Sequence, residues 1–555
     1  MKMPMVGVAS NKLFQRIDLS GFLFTRGFVP IVACVFLLFH PSFSSAEDAA
    51  ESLTFAINQF DVEGNSLLSP DAVKTVLAPF EGENKSFATV QQALEALEDA
   101  YAAIGFSTVL VTLPEQKLEN GTVHFKVVEG KVSKIVVDQR KYFDEKNQVN
   151  SLPTIKIGET PNIDDLADNL SMIGDNPAKR TNVIFKPGEN EGDVLANVKT
   201  TEQNPVRYVT TLDNTGTWKT GILRLGFAAQ NANMFDRDEV LTVQAITSPM
   251  LHHADDVQIF AASYHIPFYE QNSSLDAIFG YSSVDTGTVN TSVGDFSING
   301  SGLVYELHYN HYLPKWGEWE QKISTGFSYR VFKTNVNLVN TTQNLVPSLD
   351  VHPVDLTYSG FRRNDRYNLS SYFSLVQNIP FGPNGRTSDF DQIGARPGSR
   401  ASYMLARYGV DYSYLFKSGW QARVKFNGQF SRDQLIPGEQ FGFGGQDSVR
   451  GLNERAFSND RGEQISLEAY TPEFGDHINA QTRMRALAFY DSGKVIRNHP
   501  DVFERRGDSM SSVGVGIRGA YAENITYRLD AAYIPNTHDL VAGHTRLNGQ
   551  IAWSF

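Results

Sequence analysis

From residue 206 to residue 555 the chain alternates between apolar and polar side chains with a period of two. Trp420, Ala422, Val424 and Phe426 alternate with Gln421, Arg423, Lys425 and Asn427. Tyr408, Val410, Tyr412 and Tyr414 alternate with Gly409, Asp411 and Ser413. Ile525, Tyr527, Leu529, Ala531 and Tyr533 alternate with Thr526, Arg528, Asp530 and Ala532. In an extended strand this places one set on each face. Two architectures use such strands. A sandwich buries the apolar face and wets the polar one, whereas a membrane barrel turns the apolar face to lipid and lines a wet lumen with the polar one. Periodicity alone does not separate them, but the two ends of the chain do.

The C-terminal segment Leu547-Asn548-Gly549-Gln550-Ile551-Ala552-Trp553-Ser554-Phe555 keeps the alternation up to a terminal phenylalanine. It resembles the final-strand signal by which outer-membrane barrels are recognised for insertion, with Trp553 and Phe555 as its aromatic positions. At the other end, Lys2, Lys12, Arg16 and Arg26 precede an apolar stretch, Phe28–Phe39, and then Ser44-Ser45-Ala46 before Glu47. This is the pattern of a secretory leader with a small-residue cleavage site, so residues 1–46 are expected to be removed. The long basic region is consistent with a start downstream of Met1. The apolar run falls short of the roughly 20 residues a membrane anchor needs. Ile31-Val32-Ala33-Cys34 loosely resembles a lipoprotein cleavage box, but apolar residues continue past it.

Mean hydropathy is −0.28, too polar for a helical membrane protein, yet there are 22 tyrosines and 37 phenylalanines, as lipid-facing strands and aromatic girdles require. Cys34 is the only cysteine and lies in the leader, so the mature chain has no means to build disulfides, thiolate metal sites or a cysteine nucleophile. The formal charge is −13, and residues 47–205 alone carry 26 acidic against 14 basic side chains, a net of −12. A front end this acidic argues against nucleic acid as a partner.

That front end mixes strand and helix signals in two similar units. The first has a strand over Thr54–Val62, a turn at Gly64-Asn65, and a helix opened by Ser69-Pro70-Asp71, serine as cap and proline at the first helical position. A second helix, near Thr89–Ile104, carries Leu94, Leu97 and Tyr101 on one face and ends at Gly105; strands follow at Ser107–Leu113 and Gly121–Val128. The second unit repeats the order with strands at Val132–Val137, Thr181–Lys186 and Asp193–Lys199 and helices near Asp144–Asn150 and Asn162–Ile173.

Phe60-x-Val62-x-Gly64-Asn65, then Tyr101-x-x-x-Gly105-Phe106, then Leu113-Pro114-x-Gln116-x-Leu118-x-x-Gly121 and Val128-Glu129-Gly130 resemble a POTRA domain of the two-partner-secretion type. Pro187-Gly188-x-x-x-Gly192, running into Asp213-Asn214-x-Gly216, is similar to the same junction in haemolysin secretion and activation proteins, the TpsB family. The expected fold is therefore α+β for residues 47–130 and 131–205, two POTRA units of order β-α-α-β-β. A transmembrane antiparallel β-barrel over 206–555 follows. Its length, at roughly 20–22 residues per strand and connection, gives about sixteen strands, as the resemblance also implies.

The segment Phe441-Gly442-Phe443-Gly444-Gly445-Gln446-Asp447-Ser448-Val449-Arg450-Gly451-Leu452 resembles the sixth extracellular loop signature of POTRA-plus-barrel proteins, with Val449, Arg450, Gly451 and Leu452 at its centre. The resemblance implies that a hairpin around 441–455 folds back into the lumen. Its arginine would pair with an aspartate in a Phe-x-Asp-x-Gly motif on the wall, here Phe489, Asp491 and Gly493. Parity agrees: Met484, Ala486, Ala488 and Tyr490 share one face, and Arg485 and Asp491 the other; Glu468 is lumenal by the same count. A partly desolvated arginine needs an anionic, preferably bidentate, partner. Asp447 remains a rival by nearness in sequence.

Catalytic signals are weak. Among 12 histidines, His252-His253-x-Asp255-Asp256 is the one cluster, and it falls between strands. With no phosphate loop or metal-ligand spacing, neither cofactor, metal nor enzymatic activity is expected. The resemblance implies an outer-membrane translocator, POTRA units in the periplasm, that exports a large partner exoprotein of the haemolysin or adhesin class. Its other partners would be outer-membrane lipid and, during biogenesis, the barrel-assembly machinery. An exposed POTRA edge adds a strand from the extended partner; the candidate edges carry Val109 and Val111, or Val183 and Phe185. An assembly factor of the same superfamily is the alternative, with a porin or a barrel hydrolase more remote. Only about seven residues separate Glu47 from the first strand, reaching roughly 25 Å, too short to cross a hydrocarbon band about 25 Å tall and return; no N-terminal plug helix is expected.

Overall fold

The computed structural model describes residues 54–555 apart from 118, 139, 218–220, 250–256, 284–285, 292–293, 300–301, 334–347, 393–394, 523 and 536–543. The expected leader with Cys34, any plug ahead of Thr54, and the His252–Asp256 cluster lie outside the described residues.

In the first unit, α1 (Pro70–Leu77) starts where Ser69 accepts a hydrogen bond from the Ala72 N–H. α2 (Phe87–Ala102) buries Val90, Ala93, Leu97 and Tyr101 against a three-stranded sheet. In that sheet Thr122–Val128 is central, parallel to Gln59–Glu63 and antiparallel to Leu110–Thr112. The strand expected over Thr54–Val62 is in fact two. Asn58 breaks the run: its N–H donates to the Gly121 carbonyl and its side chain to the Asn120 carbonyl, at 2.7 and 2.8 Å. The chain thereby leaves a short pairing of Phe55–Ile57 with Gly82–Lys85 and enters the main sheet. The edge strand is also shorter than expected, so Val109 precedes it.

The second unit repeats the order with α3 (Glu145–Asn150), capped by Asp144, and α4 (Ile163–Ile173), capped by Asn162. Its sheet places Asp193–Glu202 between Lys131–Val137 and the edge strand Lys179–Pro187. Both edges expected to take a partner strand are sheet edges. Their named side chains point inward, however: Val109 and Val111 are buried in the core, and Val183 and Phe185 pack on the second core. The outward apolar residues are Leu110 and Ile184, because neighbouring positions on a strand face opposite ways.

Sixteen antiparallel strands close the barrel. In chain order they are β1 (Val206–Asp213), β2 (Arg224–Met234), β3 (Glu239–Thr247), β4 (Gln258–Phe268), β5 (Ser273–Ser282), β6 (Gly302–Trp316), β7 (Trp319–Phe332) and β8 (Leu349–Val351 continuing as Pro353–Arg363). There follow β9 (Tyr367–Asn378), β10 (Met404–Leu415), β11 (Gln421–Ser431), β12 (Arg461–Tyr470), β13 (Thr482–Ile496), β14 (Gly507–Tyr521), β15 (Ile525–Ile534) and β16 (His544–Ser554). β8 is interrupted at His352, ahead of Pro353, which has no N–H to give the ladder. Closure joins β16 to β1 over a short register, Gln550 opposite Asp213 through Ser554 opposite Val209. Phe555 extends it by exchanging backbone hydrogen bonds with Tyr208 and stacking on its ring.

The second unit docks on the periplasmic rim. Lys179, fully buried, donates to Asp238 in the β2–β3 turn at 2.7 Å, to Asn147 at 2.8 Å and to Ser151 at 3.0 Å. Asp238 also accepts from the Tyr269 hydroxyl and the Asn147 amide. Burial lowers the Lys179 pKa, and Asp238 opposes that shift. Farther along, Asp168 of α4 accepts from the Lys315 N–H and Asp175 from the Tyr312 hydroxyl. Burial at this contact raises the Asp168 pKa. α4 thereby borders a cavity of about 1130 Å³ that opens into the lumen.

Candidate functional site in the barrel lumen

The loop between β11 and β12, residues 432–460 (L6), does not stay outside. Its short hairpin pairs Phe441–Phe443 with Phe457–Asn459, and the tip between them turns on glycines. Gly444 has φ of +113° and Gly451 +96°, backbone that a side chain disfavours. A Cβ on Gly444 would lie 2.6 Å from the Asn453 carbonyl oxygen.

These turns bring Arg450 to the inner wall. Its Nε and one Nη donate to the two oxygens of Asp491, each at 2.7 Å, the bidentate fork expected from sequence. The other Nη donates to Glu468 at 2.8 Å, and the Nη that meets Asp491 also donates to Ser466 at 3.1 Å. The Arg450 N–H also donates to Asp491, at 3.1 Å. The guanidinium lies 3.5 Å from the centre of the Phe489 ring, a cation–π contact. Arg450 is 3% exposed and Asp491 0%.

The wall motif thus has three tasks. Phe489 supports the guanidinium, Asp491 pairs with it, and Gly493 leaves room for the loop: a Cβ there would meet the Phe443 ring at 2.5 Å. Val449 and Leu452 flank the arginine as apolar anchors, packed with Phe443, Val495, Met510 and Ile534.

Asp447 is not the partner of Arg450. It pairs with Arg528 on β15 at 2.6 Å, because the tip points it to the next part of the wall. Sequence reasoning passed over Ser466, which sits in register opposite Asp491, and Asp530, 3.8 Å from Arg450 and bonded to Arg518. Both share lumenal parity with residues that were identified, and that was the available signal. The charges form a continuous web: Asp411 holds Arg423, which lies 3.8 Å from Glu468, which holds Arg450.

Two POTRA-type units on a closed sixteen-strand barrel, with a loop pinned inside the lumen, define a POTRA-bearing outer-membrane transporter. The profile of the haemolysin secretion/activation protein ShlB/FhaC/HecB matches residues 192–519, and that of the POTRA domain, ShlB-type, matches residues 55–130. The chain belongs to this family: it is an outer-membrane transporter of the two-partner secretion type, supporting secretion of a partner protein, with its POTRA region in the periplasm. The outer membrane transporter CdiB of Dickeya dadantii is 22% identical over 420 residues, 75% of this chain and 72% of that relative. The heme/hemopexin transporter protein HuxB of Haemophilus influenzae is 21% identical over 496 residues, 86% of this chain and 84% of that relative. CdiB from Escherichia coli shares the fold with a TM-score of 0.76 at 19% identity, covering 93% of both chains. CdiB from Acinetobacter baumannii does so at 0.69 and 15% identity, covering 91% of both.

Proposed function

We propose that this transporter exports one large exoprotein of the haemolysin or adhesin class, taken up in extended form at a POTRA edge and passed outward through the lumen. The observation that carries this reading is the Arg450 clamp, which holds a loop inside the conduit at a defined place. The sheet edge Lys179–Pro187 supports capture, since it has no strand on its outer side and an incoming strand could add there; on the other edge, Leu110–Thr112, the Val111 N–H already donates to Glu98 at 3.0 Å. The protein acts as a conduit and not as an enzyme. Many of its lumenal charges sit in opposite-sign pairs, Arg450 with Asp491 and Glu468, Arg423 with Asp411, and Arg330 with Glu306 and Glu439, and export would be driven by cargo folding outside.

Secretion of the partner tests the reading. Arg450→Ala should strongly reduce the extracellular partner while the barrel stays folded and inserted. Asp491→Ala should do the same, and the double variant should be no worse than either single, because both remove one interaction. Wild-type secretion by the Arg450→Ala strain would refute it. The soluble fragment 47–203 should bind the partner's secretion domain; no binding at micromolar concentration would move capture to the barrel.

A further inference from the structure

A second cluster lies at the root of L6. The turn Pro437–Glu439 buries Glu439 completely. One carboxylate oxygen accepts from Arg330 of β7 at 3.0 Å and the other from Arg407 of β10 at 3.2 Å. Each arginine is itself held: Arg330 by Glu306 at 2.8 Å, and Arg407 by Gln429 at 3.0 Å. Gln429 also donates to the backbone carbonyls of Glu439 and Asp460, at 2.9 and 3.1 Å. Next to Glu439, Gly438 lies under the Phe332 ring, where a Cβ would come within 2.5 Å. The strand ladder requires none of these side-chain contacts.

The placement of the two clusters gives them meaning. Arg330 is two residues from the outer end of β7, whereas Arg528, which holds Asp447 of the tip, is the fourth residue of β15 from its periplasmic end. β7 and β15 are eight strands apart in a ring of sixteen, which puts them on opposite walls. The partners of Arg450, Glu468 and Asp491, lie on β12 and β13, five and six strands from β7, so L6 reaches across the lumen from the outer rim at β7 to the wall at β12–β15. The polarity is also reversed. At the root the loop supplies the carboxylate and the wall the arginines; in the Arg450 cluster the loop supplies the arginine and the wall the carboxylates. A loop that slipped from one cluster to the other would bring like charges together, which disfavours the wrong seating.

We infer that Glu439 is a positioning residue that forms a second lock on L6, so that the conduit opens only when the Glu439 and Arg450 clusters are both released. The inference rests on the transport reading, but its test does not use the exported partner. A strut fixed at two ends stays across the lumen when one end is freed. In planar bilayers Glu439→Gln and Arg450→Ala should each keep a conductance near that of the wild type, and the double variant should conduct several-fold more. Full opening by either single variant, or a double variant as closed as the wild type, overturns the inference. Heat-modifiable migration verifies that each barrel is folded. If Glu439→Gln does not insert, Arg330→Gln combined with Arg407→Gln removes the same lock from the wall side and is judged by the same outcomes. Wild-type secretion by Arg450→Ala with this conductance pattern intact would count against the cargo reading and leave the lock standing.

Discussion

Replacing Lys179 by methionine tests whether the joint between the second POTRA unit and the barrel is held electrostatically. Lys179 and Asp238 are both nearly inaccessible to solvent, at 0% and 1% side-chain exposure. Removing one partner of such a pair strands the other charge, at about 3–5 kcal/mol, whereas replacing both with apolar groups is often neutral. Asp238 would keep two donors, the Tyr269 hydroxyl and the Asn147 amide. The cost should therefore fall at the lower end, about 3 kcal/mol or two orders of magnitude in the docking equilibrium. Cys34 is the one cysteine of the sequence, so with it replaced by serine spin labels can be placed at introduced cysteines. Ile157 in the second unit and Trp316 on the barrel rim are both exposed and make suitable sites. The wild type should give one narrow inter-label distance by double electron–electron resonance, Lys179→Met a broad distribution, and Lys179→Met with Asp238→Leu a narrow one again. A narrow distribution in Lys179→Met would show that backbone and α4 contacts hold the joint without the ion pair. A broad one in the double variant would show that shape, not stranded charge, sets the docking.

Three further outcomes follow from the lumen and the seam. Gly493→Ala places a methyl group against the Phe443 ring, an overpacking cost of about 1–3 kcal/mol. Residues 441–455 should then become cleavable by added protease, and full protection would refute the fit. Asp447→Asn should reduce secretion less than Asp491→Asn, because the Asp447 carboxylate is largely exposed, where a pair is worth about 0–1 kcal/mol; the reverse order would undo the ranking of the two aspartates. Deleting Phe555, which closes the β1–β16 seam against Tyr208, should lower the amount of heat-modifiable barrel in the outer membrane, and normal levels would refute its role in assembly.

The barrel was readable because each strand face has one solvent. Lipid on one side and lumen water on the other impose a chemical alternation that needs no knowledge of neighbours. The POTRA helices were readable for a similar local reason, Ser69 and Pro70 marking one start and Gly105 one end. What failed to show were features fixed from a distance. The break at Asn58 depends on carbonyls near residue 120, and the pairing of Phe55–Ile57 with Gly82–Lys85 needs that break. The inward aim of Val109 and Val111 likewise follows from where the short edge strand begins, which sequence periodicity over three residues does not fix.

Parity gave the face of each lumenal residue but neither its height nor its place around the ring, and the partner of Arg450 was decided by a different quantity. A guanidinium has five N–H donors in a fixed fork, and a buried one must find acceptors for them. Asp447, three residues away, offers a single carboxylate on the same strip of loop. β12 and β13 offer three acceptors in one patch, because their register sets Ser466 opposite Asp491 and Glu468 opposite Phe489. Four of the five donors are satisfied there, two by Asp491 and one each by Ser466 and Glu468. The same count explains why Asp447 is free to hold Arg528 and why Glu439, which meets two arginines, needs no further donor on either oxygen. Pairing in this lumen follows the number of acceptors a strand register can gather, and nearness along the chain is a poor guide to it.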